Sequence, residues 1–202
     1  MRRFVIIGRN ASADGDFTID DVPGTSGRLD IGLRCVRAGL LVSHGVRKDA
    51  VVYLVLCGGP RAPRTLRITG SEARFLRPDE RSLAVLVKKA LATRADEASD
   101  GFADVREGIA VARGGLERVI ADMGPSSPHV LERGAVDVRD VEGLGEGDRA
   151  YFIGDHLGFD DAARASLAAI HARPIGVGPA CLHAEDVIAI VSNEIDRRHA
   201  QA

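Results

Sequence analysis

Two buried strands, each running out into a glycine-bearing loop, set the strongest limit on what this chain can fold into. Strand-like Tyr151-Phe152-Ile153 ends in Gly154-Asp155-His156-Leu157-Gly158, and a helical stretch follows. Pro174-Ile175-Gly176-Val177-Gly178-Pro179 then leads into a last helix from about His183. In open α/β sheets, ligands sit where the carboxyl ends of strands meet such loops. Glycine there lets backbone approach a ligand closely, although it also simply makes turns.

The rest of the chain fits the same class. Ala50–Leu56 is a continuous apolar, β-branched run, as a strand buried on both faces requires. Arg3–Arg9, Thr65–Thr69, Ile109–Ala112, His129–Leu131, Ala150–Gly154 and Pro174–Val177 read as further strands. Helices are expected over Arg28–Ser43, Asp79–Thr93, Leu116–Met123, Asp160–His171 and His183–Arg198. In the first, Leu29, Leu33, Val36, Leu40 and Leu41 form one stripe; Gly45 is its expected stop. Residues 10–26, 94–104 and 143–147 read as loops, and Pro125–Pro128 as a turn. Strands alternating with helices predict an α/β fold with a mostly parallel sheet. The 202 residues, 45% of them apolar, suit one domain over 1–202.

Several functions lose their usual support. There is no G-x-G-x-x-G after the first strand, no phosphate-loop motif and no G-x-S-x-G elbow. The apolar start, Phe4 to Gly8, is too short for a signal peptide and no run spans a bilayer. Three scattered cysteines, Cys35, Cys57 and Cys181, give neither a disulfide framework nor paired zinc ligands, which suits a cytoplasmic protein. Asp155, His156, Cys181 and His183 match no closed metal pattern, so no metal is expected.

Charge is unevenly spread. Residues 1–94 carry 17 Lys/Arg against 9 Asp/Glu, and residues 95–202 carry 10 against 20. A basic half is the footprint of a polyanion partner. The alternative is that the two halves neutralise each other. Arg61, Arg64, Arg67, Arg74, Arg77, Arg81, Lys88 and Lys89 are the candidate phosphate contacts. Aromatic residues are scarce there, so base stacking is not indicated.

Taken in order, a set of blocks resembles the archaeal tRNA pseudouridine-54 N1-methyltransferase family and its bacterial relatives, of the SPOUT class. They are Pro23-Gly24-Thr25-Ser26-Gly27-Arg28-Leu29-Asp30 with Arg34-Cys35-Val36, Ser43-His44-Gly45-Val46-Arg47-Lys48-Asp49, and Pro78-Asp79-Glu80-Arg81 with Lys88-Lys89-Ala90-Leu91. Gly108-Ile109, Ile153-Gly154-Asp155-His156-Leu157-Gly158 and Asn193-Glu194-Ile195-Asp196-Arg197 complete the set. The likeness runs nearly end to end.

The resemblance implies a C-terminal trefoil knot, a homodimer, S-adenosylmethionine as cofactor and a tRNA substrate. It places Leu131, Gly154, Gly176, Val177, Gly178, Pro179, Ala180, Cys181, Leu182 and Val187 around the cofactor. Arg28 would stabilise negative charge on the base. Asp30 would accept its proton or orient Arg28, and Arg34 and Arg81 would contact the substrate. Where the family commonly has a cysteine early in the last helix, this chain has Val187. That departure keeps two alternatives open: an inactive RNA-binding protein of the same fold, or a methyltransferase acting on another RNA or on a ribose hydroxyl.

Overall fold

The computed structural model describes residues 1–98 and 100–201. Its elements, in chain order, are β1 (Arg2–Ser12), α1 (Val22–Thr25), α2 (Leu29–Leu40), β2 (Leu41–Val42), β3 (Gly45–Val46), β4 (Ala50–Gly58), β5 (Arg64–Thr69) and α3 (Glu80–Ala92). Then come β6 (Ala103–Arg106), β7 (Ile109–Arg113), α4 (Leu116–Asp122), β8 (Ser127–Asp137), β9 (Arg149–Gly154), α5 (Asp161–Ala169), β10 (Arg173–Gly176) and α6 (Ala184–Gln201). Eight strands form one sheet in the order β10-β8-β9-β1-β4-β5-β7-β6. The five strands from β10 to β4 are parallel. The three beyond β4 turn antiparallel.

Central β1 explains the layering. Phe4 and Ile6 enter one core with Leu33, Leu40, Val52, Val87, Ile188 and Val191 from α2, β4, α3 and α6. Val5 and Ile7 enter the other with Val119, Phe152 and Leu167 from α4, β9 and α5. Successive strand side chains point to opposite faces, so a strand covered on both sides must be apolar throughout. Each such fully buried side chain is worth about 1.5–3 kcal/mol. Helix α2 lies close on the sheet because Gly39 faces it: a Cβ there would stand 2.9 Å from Val52 Cγ2.

Four readings from the sequence are corrected here. The loop expected over 10–26 holds the last residues of β1 and the short helix α1. The first long helix ends at Leu40, not Ser43; residues 41–46 form a two-stranded hairpin instead, turning through His44 at φ 64°. The loop expected over 94–104 holds a 3₁₀ turn, Ala95–Ala98, and the start of β6. The short strand expected at His129–Leu131 is the middle of an eleven-residue strand, β8. That strand is interrupted. Pro174 of β10 pairs with Val130 but Ile175 pairs with Val136, so residues 131–135 bulge out of the ladder.

At the sheet's N-terminal edge, cations and carboxylates close on each other. Buried Arg2 bonds Asp49 at 2.5 Å and Asp196 at 2.8 Å, Arg47 reaches the same Asp196 at 2.6 Å, and Arg3 reaches Asp148 at 2.8 Å. Burial would raise the Asp196 carboxyl, but Arg47 and Arg2 hold it below the usual carboxylate range. Internal pairing therefore accounts for part of the charge asymmetry. Arg64, a candidate phosphate contact by sequence, is itself 1% exposed and locked to Asp96 at 2.6 Å. Arg61 pairs with Glu97 and Arg67 with Asp122. Helix α6 is held at its far end, where Arg198 donates to the carbonyls of Val138, Arg139 and Val141 and His199 meets that of Gly145.

Candidate active site

The C-terminal ends of β9 and β10, the bulge in β8 and the first turn of α6 enclose a cavity of about 930 Å³. Each wall has a local cause. The bulge turns through Gly134 at φ 79° and brings Leu131, Glu132 and Arg133 to the cavity. Gly176 packs against its backbone: a Cβ there would stand 3.1 Å from the Ala135 carbonyl oxygen and 3.2 Å from that of Glu132. Gly154 is tighter, with a virtual Cβ only 2.8 Å from Gly158 Cα. Asp155 holds that loop, accepting from Arg9 N and from Leu157 N. These glycines pack backbone against backbone where a side chain would intrude.

Opposite stands an ionic cluster at the start of α2. Gly27 and Arg28 both adopt left-handed backbone, at φ 64° and 70°. A side chain at Gly27 would strike the Asn10 carbonyl oxygen at 1.8 Å. Ser26 makes the turn, its hydroxyl accepting from Leu29 N at 3.0 Å. A non-glycine residue held left-handed costs about 1–3 kcal/mol, and such strain gathers at functional sites. Asp30, 2% exposed, accepts from Arg28 Nε at 3.0 Å and Nη2 at 3.1 Å, and from Arg34 Nη1 at 2.9 Å. Burial alone would raise its carboxyl; the Arg28 and Arg34 hydrogen bonds outweigh it and keep the group below the usual carboxylate range. Arg34 also donates from Nε to Glu185 Oε1 at 2.7 Å. Glu185 Oε2 is buried without a hydrogen-bond partner among the described residues.

The structure gathers most of the residues singled out by sequence. Leu131, Gly154, Gly176, Val177, Gly178, Ala180, Cys181, Leu182 and Val187 line the cavity, as do Arg28 and Arg34. Asp30 stands behind the two arginines. Pro179 is exposed and not among the walls. Arg81 is likewise not a wall residue; it pairs with Asp20 at 2.8 Å on the surface. Sequence reasoning missed Arg133, Phe159, Arg164 and Glu185 as walls. Arg133 and the cavity's other bulge residues carry no periodic signal, whereas Glu185 was visible two positions before Val187. Val187 is 9% exposed and presents an apolar surface where a cysteine was expected. Among the described residues no group of three or more His, Cys, Asp or Glu is placed to hold a metal, and no helix is long and apolar enough to cross a membrane.

A family model described as "Putative SAM-dependent RNA methyltransferase" matches residues 1–200. The chain belongs to this family. It is 36% identical over its whole length to a protein of Methanosarcina acetivorans named tRNA (pseudouridine(54)-N(1))-methyltransferase, covering 93% of it. A namesake from Halobacterium salinarum is 37% identical over 97% of this chain and 96% of its own. Among solved structures, Archaeoglobus fulgidus Nep1 bound to S-adenosylhomocysteine superposes with a TM-score of 0.63 at 16% identity, over 98% of both chains. Family membership and the shared fold turn the glycine-walled cavity into the place to test for the cofactor. Its volume suits a ligand of that size. Apolar Leu131, Ile153, Ile175, Val177 and Val187 can cover a purine, and the glycine loops expose backbone groups to its polar edge. The residues present fit S-adenosylmethionine.

Proposed function

We propose that this protein methylates N1 of pseudouridine at position 54, in the T-loop of tRNA. The observation that carries the reading is the Arg28–Asp30–Arg34 cluster on the wall of the glycine-lined cavity. Whole-length relatives that bear the enzyme's name support it. S-adenosylmethionine, when bound, supplies a methyl group on a sulfonium. Leu131, Gly154, the segment 176–182 and Val187 would hold it.

The chain's own residues have three tasks. In pseudouridine the glycosidic bond is to carbon, so N1 carries a proton that must leave as the methyl arrives. Arg28 spends two N–H groups on Asp30 and keeps the others for an oxygen of the base, where negative charge gathers. Asp30 has both oxygens occupied by arginines, so it orients Arg28 and Arg34. Glu185, beside Arg34, has one oxygen bound by it and one buried without a partner among the described residues, so it takes the proton once that oxygen turns into the cavity. Arg34 and Arg81 are assigned to the RNA, Arg34 inside the cavity and Arg81 on the adjoining surface. The working unit is a single domain in a cytoplasmic homodimer. The C-terminal segment forms a trefoil knot, for which the grip of residues 138–145 on α6 is the support.

The deciding experiment offers S-adenosylmethionine with a labelled methyl group to two T-arm RNAs, one with pseudouridine and one with uridine at the target. Uridine has no free N1. Label only in the pseudouridine RNA, recovered as N1-methylpseudouridine, supports the reading. Label in both, or on a ribose hydroxyl, overturns the substrate. Cofactor binding without any transfer favours the inactive RNA-binding alternative that Val187 motivates.

A further inference from the structure

The geometry points to a second RNA-contact site, a recess between Arg61 and Arg113 that takes a backbone phosphate. This rests on the reading above that the substrate is RNA. The recess is a cavity of about 390 Å³ walled by Arg61, Arg64, Arg113, Asp96 and Glu97.

Strand register places it on the same edge of the sheet as the cofactor cavity. Gly154 of that cavity is level with Ile7, Gly8 with Leu56, Leu56 with Arg64 and Arg64 with Arg113. From β9 through β1, β4 and β5 to β7 is four strand spacings, about 19 Å. Arg9, in the second half of β1, lies between the two cavities, and among the described residues its side chain bonds the Leu157 carbonyl and no carboxylate. An RNA arm seated with one nucleotide in the large cavity passes along this edge.

The recess has charge to offer. Arg64 and Asp96 neutralise each other in the interior and form its floor. Arg61 meets Glu97 at 3.1 Å, an exposed pair that a phosphate can displace at little cost. Arg113 is exposed and has no carboxylate within ion-pair distance among the described residues. Arg118 is anchored beside it, Nε to the Arg113 carbonyl at 3.1 Å. A guanidinium left unpaired beside paired ones, at the edge of a concave site, suits a phosphodiester oxygen.

Binding of a pseudouridine-bearing T-arm hairpin is measured by fluorescence anisotropy across a salt series. The proteins are wild type, Arg113→Glu and Arg173→Glu. Arg173 is exposed and also lacks a carboxylate partner among the described residues, but it starts β10 at the opposite edge, so it is the matched control. Arg113→Glu is expected to weaken binding about tenfold or more and to lower the slope of log affinity against log salt by about one. Arg173→Glu is expected to leave both unchanged. S-adenosylmethionine calorimetry on each protein shows that the fold is intact. Equal weakening by both variants, or none by Arg113→Glu, overturns the recess. If the wild type shows the recess effect but transfers no methyl group, the proposed reaction fails and the recess stands. If transfer occurs and the recess effect is absent, the reverse holds.

Discussion

The two edges of the sheet use arginine in opposite ways. At the N-terminal edge Arg2, Arg3 and Arg47 face Asp49, Asp148 and Asp196 and are spent on holding the chain together. At the C-terminal edge Arg9, Arg113 and Arg133 meet no carboxylate among the described residues, and Arg28 and Arg34 share one buried Asp30 so that both reach a cavity. Residue type is the same at both edges. What differs is how many N–H groups the nearby carboxylates leave over: Arg28 and Arg34 share Asp30 and still line a cavity, whereas buried Arg2 is spent on two carboxylates. Arg173, at the same N-terminal edge, is exposed and meets no carboxylate among the described residues, which is what makes it useful as a control.

The comparison can be attacked first at Asp96. If Arg64 is a structural cation within the functional edge, Asp96→Ala strands a buried guanidinium and costs about 3–5 kcal/mol of stability, read in urea unfolding. A loss below about 1 kcal/mol would mean that the pair is dispensable. Next comes Arg28. Arg28→Ala should lower kcat about 10²–10³-fold while leaving S-adenosylmethionine affinity near wild type. Unchanged turnover would remove Arg28 from the chemistry.

The N-terminal edge gives the third test. His129, 2% exposed and stacked on Tyr151 with ring centroids 5.5 Å apart, is pushed down to about 4 by burial and by Arg149 and Arg173, against the Ser127 carbonyl. Its folded value lies below its unfolded one, so the stability it contributes is complete above about pH 6.5 and drains away as pH falls toward 4. The fall should reach at most about 3 kcal/mol, and His129→Phe should flatten it. A stability curve of unchanged slope in that variant would assign the acid sensitivity elsewhere. The smallest effect is expected at Arg3–Asp148, where Asp148 is 43% exposed. Double-mutant cycles should give about 0.2–1 kcal/mol, shrinking with added salt.

Much of this was legible in the sequence, and the exceptions have physical reasons. Ala50–Leu56, Asp79–Thr93 and Leu116–Met123 were placed to within a residue or two, because a strand or helix against a core writes its period into the chain. The bulge at 131–135 was not, since a ladder interruption is decided by the partner strand and leaves no period of its own. The first strand of the hairpin was absorbed into a helix because Leu41 continued the apolar stripe of α2. The glycine loops were recognised, and so was the pairing of Arg28 with Asp30 at one helix start. The burial of Arg64 was invisible, because its carboxylate lies 32 positions away and charge counts carry no distances. The choice between the two roles left open for Asp30 was invisible for a similar reason: a sequence names a carboxylate but not how many donors already occupy it.

The grip on α6 has a consequence in time. Residues 28–34 of the site are made early, yet its closing wall, Ala184 to Val187, belongs to a helix that docks on α2 from about 150 residues further along. A chain still growing on the ribosome past residue 176 has its strands in hand and no enclosed place for a ligand. The cavity becomes whole only when the helix has packed on α2 and its far end has met the carbonyls of residues 138–145.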